Sequence, residues 1–277
     1  MDDEYYTTEP PRRDILDPMR RVLLVALLAV PGCLERPDPQ EPTPAPPAED
    51  LKGDPLTTGR RLIDRREDDD NLDRAIRLLD AQAERNPGSV PLHLLAAEAY
   101  SRSLEALGDR KSEQRAHVRQ MLAKAKPHAD AALRLDPDNG AALYWRACLL
   151  LHEADVEKSL GRAREALAQL DRAESLLPAI DDGGPSRMKG RILQELPGLF
   201  GGSTSKAIAA YRKSLEIAPD CITTHLWLGE AYTDAGKTEL ARKELEGVLA
   251  AKPRPGHEKE DGDDRKEAEA KLKSLAR

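Results

Sequence analysis

Five times in this chain an alanine is followed twelve residues later by a proline: Ala75 and Pro87, Ala125 and Pro137, Ala166 and Pro178, Ala207 and Pro219, Ala241 and Pro253. Four residues after each alanine stand Leu79, Ala129, Leu170, Tyr211 and Leu245 in turn, a spacing that puts both side chains on one face of an α-helix. Proline lacks the N–H a helix needs and its ring clashes with the preceding turn, so each block predicts one amphipathic helix stopped at its proline. Such a repeat specifies stacked units that bury their apolar faces only against their neighbours. Composition agrees with an all-α class. Leu and Ala supply most of the apolar content while aromatics are 3%, and these are helix formers rather than strand formers.

The segments after the prolines align as well. Trp145 and Trp227 lie eight residues past Pro137 and Pro219, and His93 and His225 lie six past Pro87 and Pro219. Tyr100 and Tyr232 fall thirteen past the same two prolines, and Ala97, Ala147 and Gly229 stand ten past theirs, small residues where a neighbouring helix can approach. In the last unit, "CITTHLWLGEAYTDAGKTELARKELEGVLAAKP", the residues Leu228, Gly229, Tyr232, Ala241, Leu245, Val248 and Pro253 sit where the tetratricopeptide (TPR) signature places them. The 34 residues from Pro219 to Pro253 match its period. Most of residues 57–253 thus resembles TPR proteins. The expected fold is an all-α solenoid of about five TPR-like helical hairpins plus a C-terminal capping helix, "DDRKEAEAKLKSLAR", with Ala268, Leu272 and Leu275 on one face.

The hairpins differ in length. Gly229 and Ala241 are 12 residues apart, but the equivalent gap is 28 from Ala97 to Ala125, 19 from Ala147 to Ala166 and 17 from Gly190 to Ala207. The second, third and fourth hairpins are therefore expected to carry extra residues at their internal turns, on one edge of the stack. The fourth brings Leu199 and Phe200, the only phenylalanine, between glycines, and its first helix stops at Pro197-Gly198. Phe200 either packs against a neighbouring hairpin or meets a partner.

Residues 1–32 read as a leader. Arg20 and Arg21 precede the apolar run Val22 to Val30, too short for a membrane-spanning helix of roughly 20 residues and suited to a secretory signal. Met19 is well placed to be the true start. The "VPGC" that follows resembles a bacterial lipobox, which implies lipid attachment at Cys33 and a periplasmic location; the alternatives are a plain signal peptide or a short buried helix. Residues 33–54 are rich in Pro and acid, cannot bury enough apolar surface to fold, and read as a lipid-anchored extended tether. Residues 55–277 form the repeat domain.

"LYWRACLLLHEA" (143–154) and "RILQELPGLFGGSTSKAIAAYRKSLEIAPD" (191–220) also resemble the T-component family of bacterial TRAP transporters. That resemblance implies a lipid-anchored periplasmic helical protein docking onto a solute-binding partner.

No catalytic site emerges. His93, His117, His128, His152, His225 and His257 form no motif with carboxylates or cysteines at ligand spacing, and the shared register of His93 and His225 points to packing. The "GGST" at 201–204 lacks a P-loop lysine and reads as a turn with Ser203 or Thr204 as N-cap. The acidic run "REDDDNLD" (66–73) lacks the calcium-loop spacing and is expected to supply an N-cap and favourable charge to a helix start. Cys148 and Cys221 are expected to stay free, in different hairpins. Net charge is −7 with no long basic block, which argues against nucleic acid. These features point to a binding module rather than an enzyme, with no cofactor and no metal. Tyr144, Trp145 and Trp227 are candidates for a concave groove, Phe200 for the loop edge, and Cys33 for the membrane anchor. The partner is a protein or a small ligand. The two function classes are an accessory of a TRAP-type solute transporter and a scaffold for envelope assembly.

Overall fold

The computed structural model describes residues 53–68, 70–108, 113–254 and 257–275, all in the unit Pro46–Arg277; the leader, Cys33 and nearly all of the tether lie outside them. Among the described residues eleven α-helices run in sequence: α1 (Pro55–Asp64), α2 (Asn71–Arg85), α3 (Val90–Ala106), α4 (Arg115–Leu135), α5 (Gly140–Glu157), α6 (Leu160–Leu176), α7 (Gly184–Glu195), α8 (Thr204–Ile217), α9 (Ile222–Asp234), α10 (Thr238–Ala250) and α11 (Glu258–Leu275). A 3-10 turn, Gly198–Phe200, separates α7 from α8. Consecutive helices pair as five antiparallel hairpins, and α11 packs on the last of them.

The alanine–proline repeat maps directly onto this order. Ala75, Ala125, Ala166, Ala207 and Ala241 are all fully buried, and so are Leu79, Ala129, Leu170, Tyr211 and Leu245 four residues on. Each of these pairs sits in the second helix of its hairpin, and each helix ends just before its proline. The small alanine lets the hairpin's first helix close in. At Gly229 a Cβ would come within 2.9 Å of the Leu245 side chain, which would have to shift.

The histidine register has a structural purpose. His93 Nε2 lies 3.0 Å from the Pro87 carbonyl oxygen and His225 Nε2 lies 2.7 Å from that of Pro219. In both hairpins the ring ties the first helical turn to the carbonyl of the proline before it. In the third hairpin Leu143 holds that register, and Arg172 Nη2 donates to the Pro137 carbonyl at 3.0 Å instead.

Two expectations need correction. The third hairpin has no long turn, because α5 and α6 meet across Lys158 and Ser159, with Lys158 in the left-handed region at φ 51°. Its extra residues lengthen the arms to 18 and 17 residues, against 13 in each arm of the last hairpin. Asp70 precedes α2, but its carboxylate caps no helical N–H. It faces Arg74 and Arg77 at 4.0 and 3.8 Å, and those guanidiniums compete for the oxygens a cap would need. Ser203 does cap α8, accepting from Lys206 N–H at 3.3 Å.

The first helices pack in order along the stack, as α1–α3–α5 and as α7–α9–α11, and Tyr144 of α5 lies against Gly184 at the start of α7. The stack also curls until its ends meet. The turn after α1 touches the start of α11, across some 190 positions of sequence.

Candidate functional site

The turn between α6 and α7 is where the inner face acquires its chemistry. Asp181, Asp182 and Gly183 lie in the connecting turn with φ of 52°, 55° and 75°. Left-handed backbone is costly for most residues and tolerated best by Gly, Asn and Asp. Gly183 has no room for anything larger, as a Cβ would meet the Ser214 carbonyl oxygen at 2.9 Å. This run turns Asp181 inward.

Asp181 accepts hydrogen bonds from Tyr144 on α5, Arg102 on α3 and Arg187 on α7, the last at 2.7 Å. Arg187 also donates to the carbonyls of residues 181 and 182 at 2.9 and 3.1 Å. One carboxylate thus joins three successive first helices. Burial opposes its ionisation, but the guanidiniums of Arg102 and Arg187 and the Tyr144 hydroxyl hold it well below the usual carboxylate range. Burial, reinforced by Asp181, raises the Tyr144 hydroxyl well above its usual value.

Each inner-face tryptophan is covered by an arginine from the preceding first helix. Arg102 lies 5.0 Å over the Trp145 ring, and Arg191, from α7, lies 5.2 Å over Trp227, within cation–π range. Both indoles line a small inner cavity of about 60 Å³ with Asp181 and Arg187. A larger, open hollow of about 780 Å³ adjoins it between α1, α3, α5 and the Asp181 turn. Its wall mixes apolar Leu56, Leu94 and Ile180 with the ion pair of Arg60 and Glu98, in which Arg60 donates twice at 2.9 and 2.7 Å.

The residues proposed from sequence divide. Trp145 and Trp227 reach the inner face, where Trp145 is 5% exposed and Trp227 is half-buried. Tyr144 is almost fully buried, gives its hydroxyl to Asp181 and lines the small inner cavity beside Trp145. Phe200 is half-buried beside Leu199, which is 89% exposed, and lines neither inner cavity; the structure does not bring it to the tryptophans. Cys33 is outside the described residues. Cys148 and Cys221 are both buried and free. Burial pushes the Cys148 thiol up to about 12, and the Cys221 sulfur accepts from Arg187 at 3.6 Å. Titration of thiols in denaturant without reductant should find both reactive; a pair that appears only after reduction would contradict this.

Sequence reading missed Asp181, Arg102 and Arg187. The available signal was "DDGG" at 181–184, two left-handed-tolerant residues before two glycines.

A family model described as tetratricopeptide repeat matches residues 202–257, from the loop before α8 through the last hairpin. Solved structures agree over more of the chain. The chain is similar to TTC0263, a thermophilic TPR protein of Thermus thermophilus, with 16% identity and a TM-score of 0.53, covering 80% of this chain and 97% of that one. It is also similar to PilF of Pseudomonas aeruginosa, with 17% identity and a TM-score of 0.52, over 80% and 90% of the two chains. A third, YrrB, described as a TPR protein with an unusual peptide-binding site, is 19% identical with a TM-score of 0.45, over 79% and 90%. No curated protein matches the chain. The repeat order and the first two likenesses define a TPR-type helical solenoid.

Proposed function

We propose that this chain is a lipid-anchored periplasmic TPR protein that holds a partner protein or a small ligand on its concave face. The observation that carries the proposal is the open hollow of about 780 Å³ beside the arginine-covered Trp145. Ligand sites commonly span about 300–1,000 Å³ and combine apolar walls with a few fixed polar groups. The anchor and the compartment rest on "MRRVLLVALLAVPGC" and the proline-rich tether. The finer reading is an accessory of a TRAP-type transporter receiving a solute-binding protein, supported by the resemblance of residues 143–154 and 191–220. A scaffold for envelope assembly is the second reading. It is favoured by Leu160, Leu199 and Leu240, exposed in three successive hairpins on the edge of the internal turns.

Two variants test the proposal. Metabolic labelling with a tagged fatty acid should mark the wild type and spare Cys33→Ala; equal labelling would refute the anchor. Trp227→Ala should reduce partner capture from native membranes at least about tenfold, the loss of about 1.4 kcal/mol, while the protein still melts cooperatively. Full capture by that variant would move the site off the concave face.

A further inference from the structure

The meeting of the two ends is built from specific groups. Glu67, in the turn after α1, accepts backbone N–H bonds from Lys259 and Glu260 at 2.8 and 2.9 Å. It therefore supplies from the far end of the chain the acceptor that the first turn of α11 needs. Beside it, Arg66 Nη2 donates to Glu260 at 2.8 Å and lies 2.6 Å from His257 Nδ1. The Arg66 side chain is only 12% exposed, so Glu260 supplies the contact that solvent does not. Two further carboxylates of the first turns of α11 are held nearby. Asp261 is buried against Arg254, at 2.6 Å, and Asp264 accepts from Thr223 of α9 at 2.7 Å. Burial opposes ionisation of Glu260, yet His257, Arg254 and Arg66 bring it down to about 2. Arg66 and His257 also line both inner cavities. The acidic first turn of α11 thus sits at the mouth of the concave face, bound as a separate ligand would be.

We infer that Arg66 and Glu67 form a docking site for the acidic first turn of a partner helix, and that α11 occupies this site in competition with it. Arg66 takes a carboxylate at the third helical position and Glu67 takes the free N–H groups of the same turn. Only a helix start with an acidic residue at that position satisfies both. The remainder of α11 is held independently, by Ala268 and Leu272 in the core it shares with Ile222 and Leu245 and by Asp261 against Arg254, so residues 258–260 can release without loss of the cap. The inference rests on the proposed concave-face reading and names the chemistry of the partner segment.

The test uses the full chain and one probe, a fluorescein-labelled synthetic peptide of residues 257–275, followed by anisotropy. Two variants open the site while leaving Arg66 and Glu67 intact. Glu260→Ala removes the competing carboxylate. Lys259→Pro removes one N–H that Glu67 accepts, at a first-turn position where proline is tolerated. Both should bind the probe about tenfold more tightly than the wild type, because affinity scales with the fraction of open sites. Adding Arg66→Ala to Glu260→Ala should abolish the gain. Hydrogen exchange at residues 258–260 should quicken in both openers. Equal binding by wild type and openers would overturn the inference. So would a gain that survives Arg66→Ala, or quickened exchange with no capture. None of these outcomes bears on Trp227-dependent partner capture, so the concave-face reading stands or falls separately.

Discussion

Asp181→Asn should lower the unfolding free energy by about 3–5 kcal/mol, the cost of removing one partner from a buried ionic cluster. The substitution keeps the shape of the side chain and removes its charge. Arg102 and Arg187 would then face each other's field in the interior, with 11% and 9% of their side chains exposed. Urea unfolding should show the loss as a lower midpoint with unchanged slope. The pH dependence follows from the folded carboxyl lying well below its ordinary range. Such a group stabilises the fold above its unfolded pKa, about 3.9, and that contribution fades as pH falls toward the folded value. The gap between wild type and variant should therefore hold from neutral pH to about pH 4 and narrow only below it. A gap that closes between pH 8 and 6 would mean the cluster is not what joins α3, α5 and α7.

Trp145→Ala should cost about 3–5 kcal/mol, the usual range for a buried tryptophan. The indole fills space against Tyr144, with ring centroids 4.8 Å apart in an edge-on arrangement, and supports the Arg102 guanidinium. Its removal leaves a void and loosens the arginine that Asp181 needs, so this loss and that of Asp181→Asn should be less than additive. Half-buried Trp227 should cost clearly less on substitution. Thermal or urea unfolding of both variants checks the order. If Trp227→Ala proves the more damaging, the two inner-face tryptophans have exchanged roles, with Trp227 the brace and Trp145 the contact.

The repeat was legible because helical packing imposes a fixed spacing. A small residue, an apolar one four positions on and a proline twelve positions on leave a trace that a single chain displays, and all ten of the packed positions proved buried. His93 and His225 were legible as packing residues through their shared register, though not their carbonyl partners, which depend on the fold of the turn. The Asp181 cluster was not legible. Its members lie at 102, 144, 181 and 187, in three first helices and a turn, and no local period links them. The extra residues of the third hairpin could be counted but not placed, since a longer arm and a longer loop leave the same gap. The closure of the ends by Glu67 and Arg66 depends on accumulated curvature over five hairpins, which no segment records. Phe200 was legible as a loop-edge residue because it stands between glycines at the internal turn of the fourth hairpin. Its position on the internal-turn edge separates it from the inner face.

Partner binding on the concave face is tested most directly by photo-crosslinking from native membranes, with a benzophenone amino acid placed at Trp227 on the inner face in one preparation and at exposed Lys243 on α10 in another. A partner adduct from the Trp227 position and none from the Lys243 position is the predicted result. Adducts of the same partner from Lys243 alone, or equally from both, would contradict it.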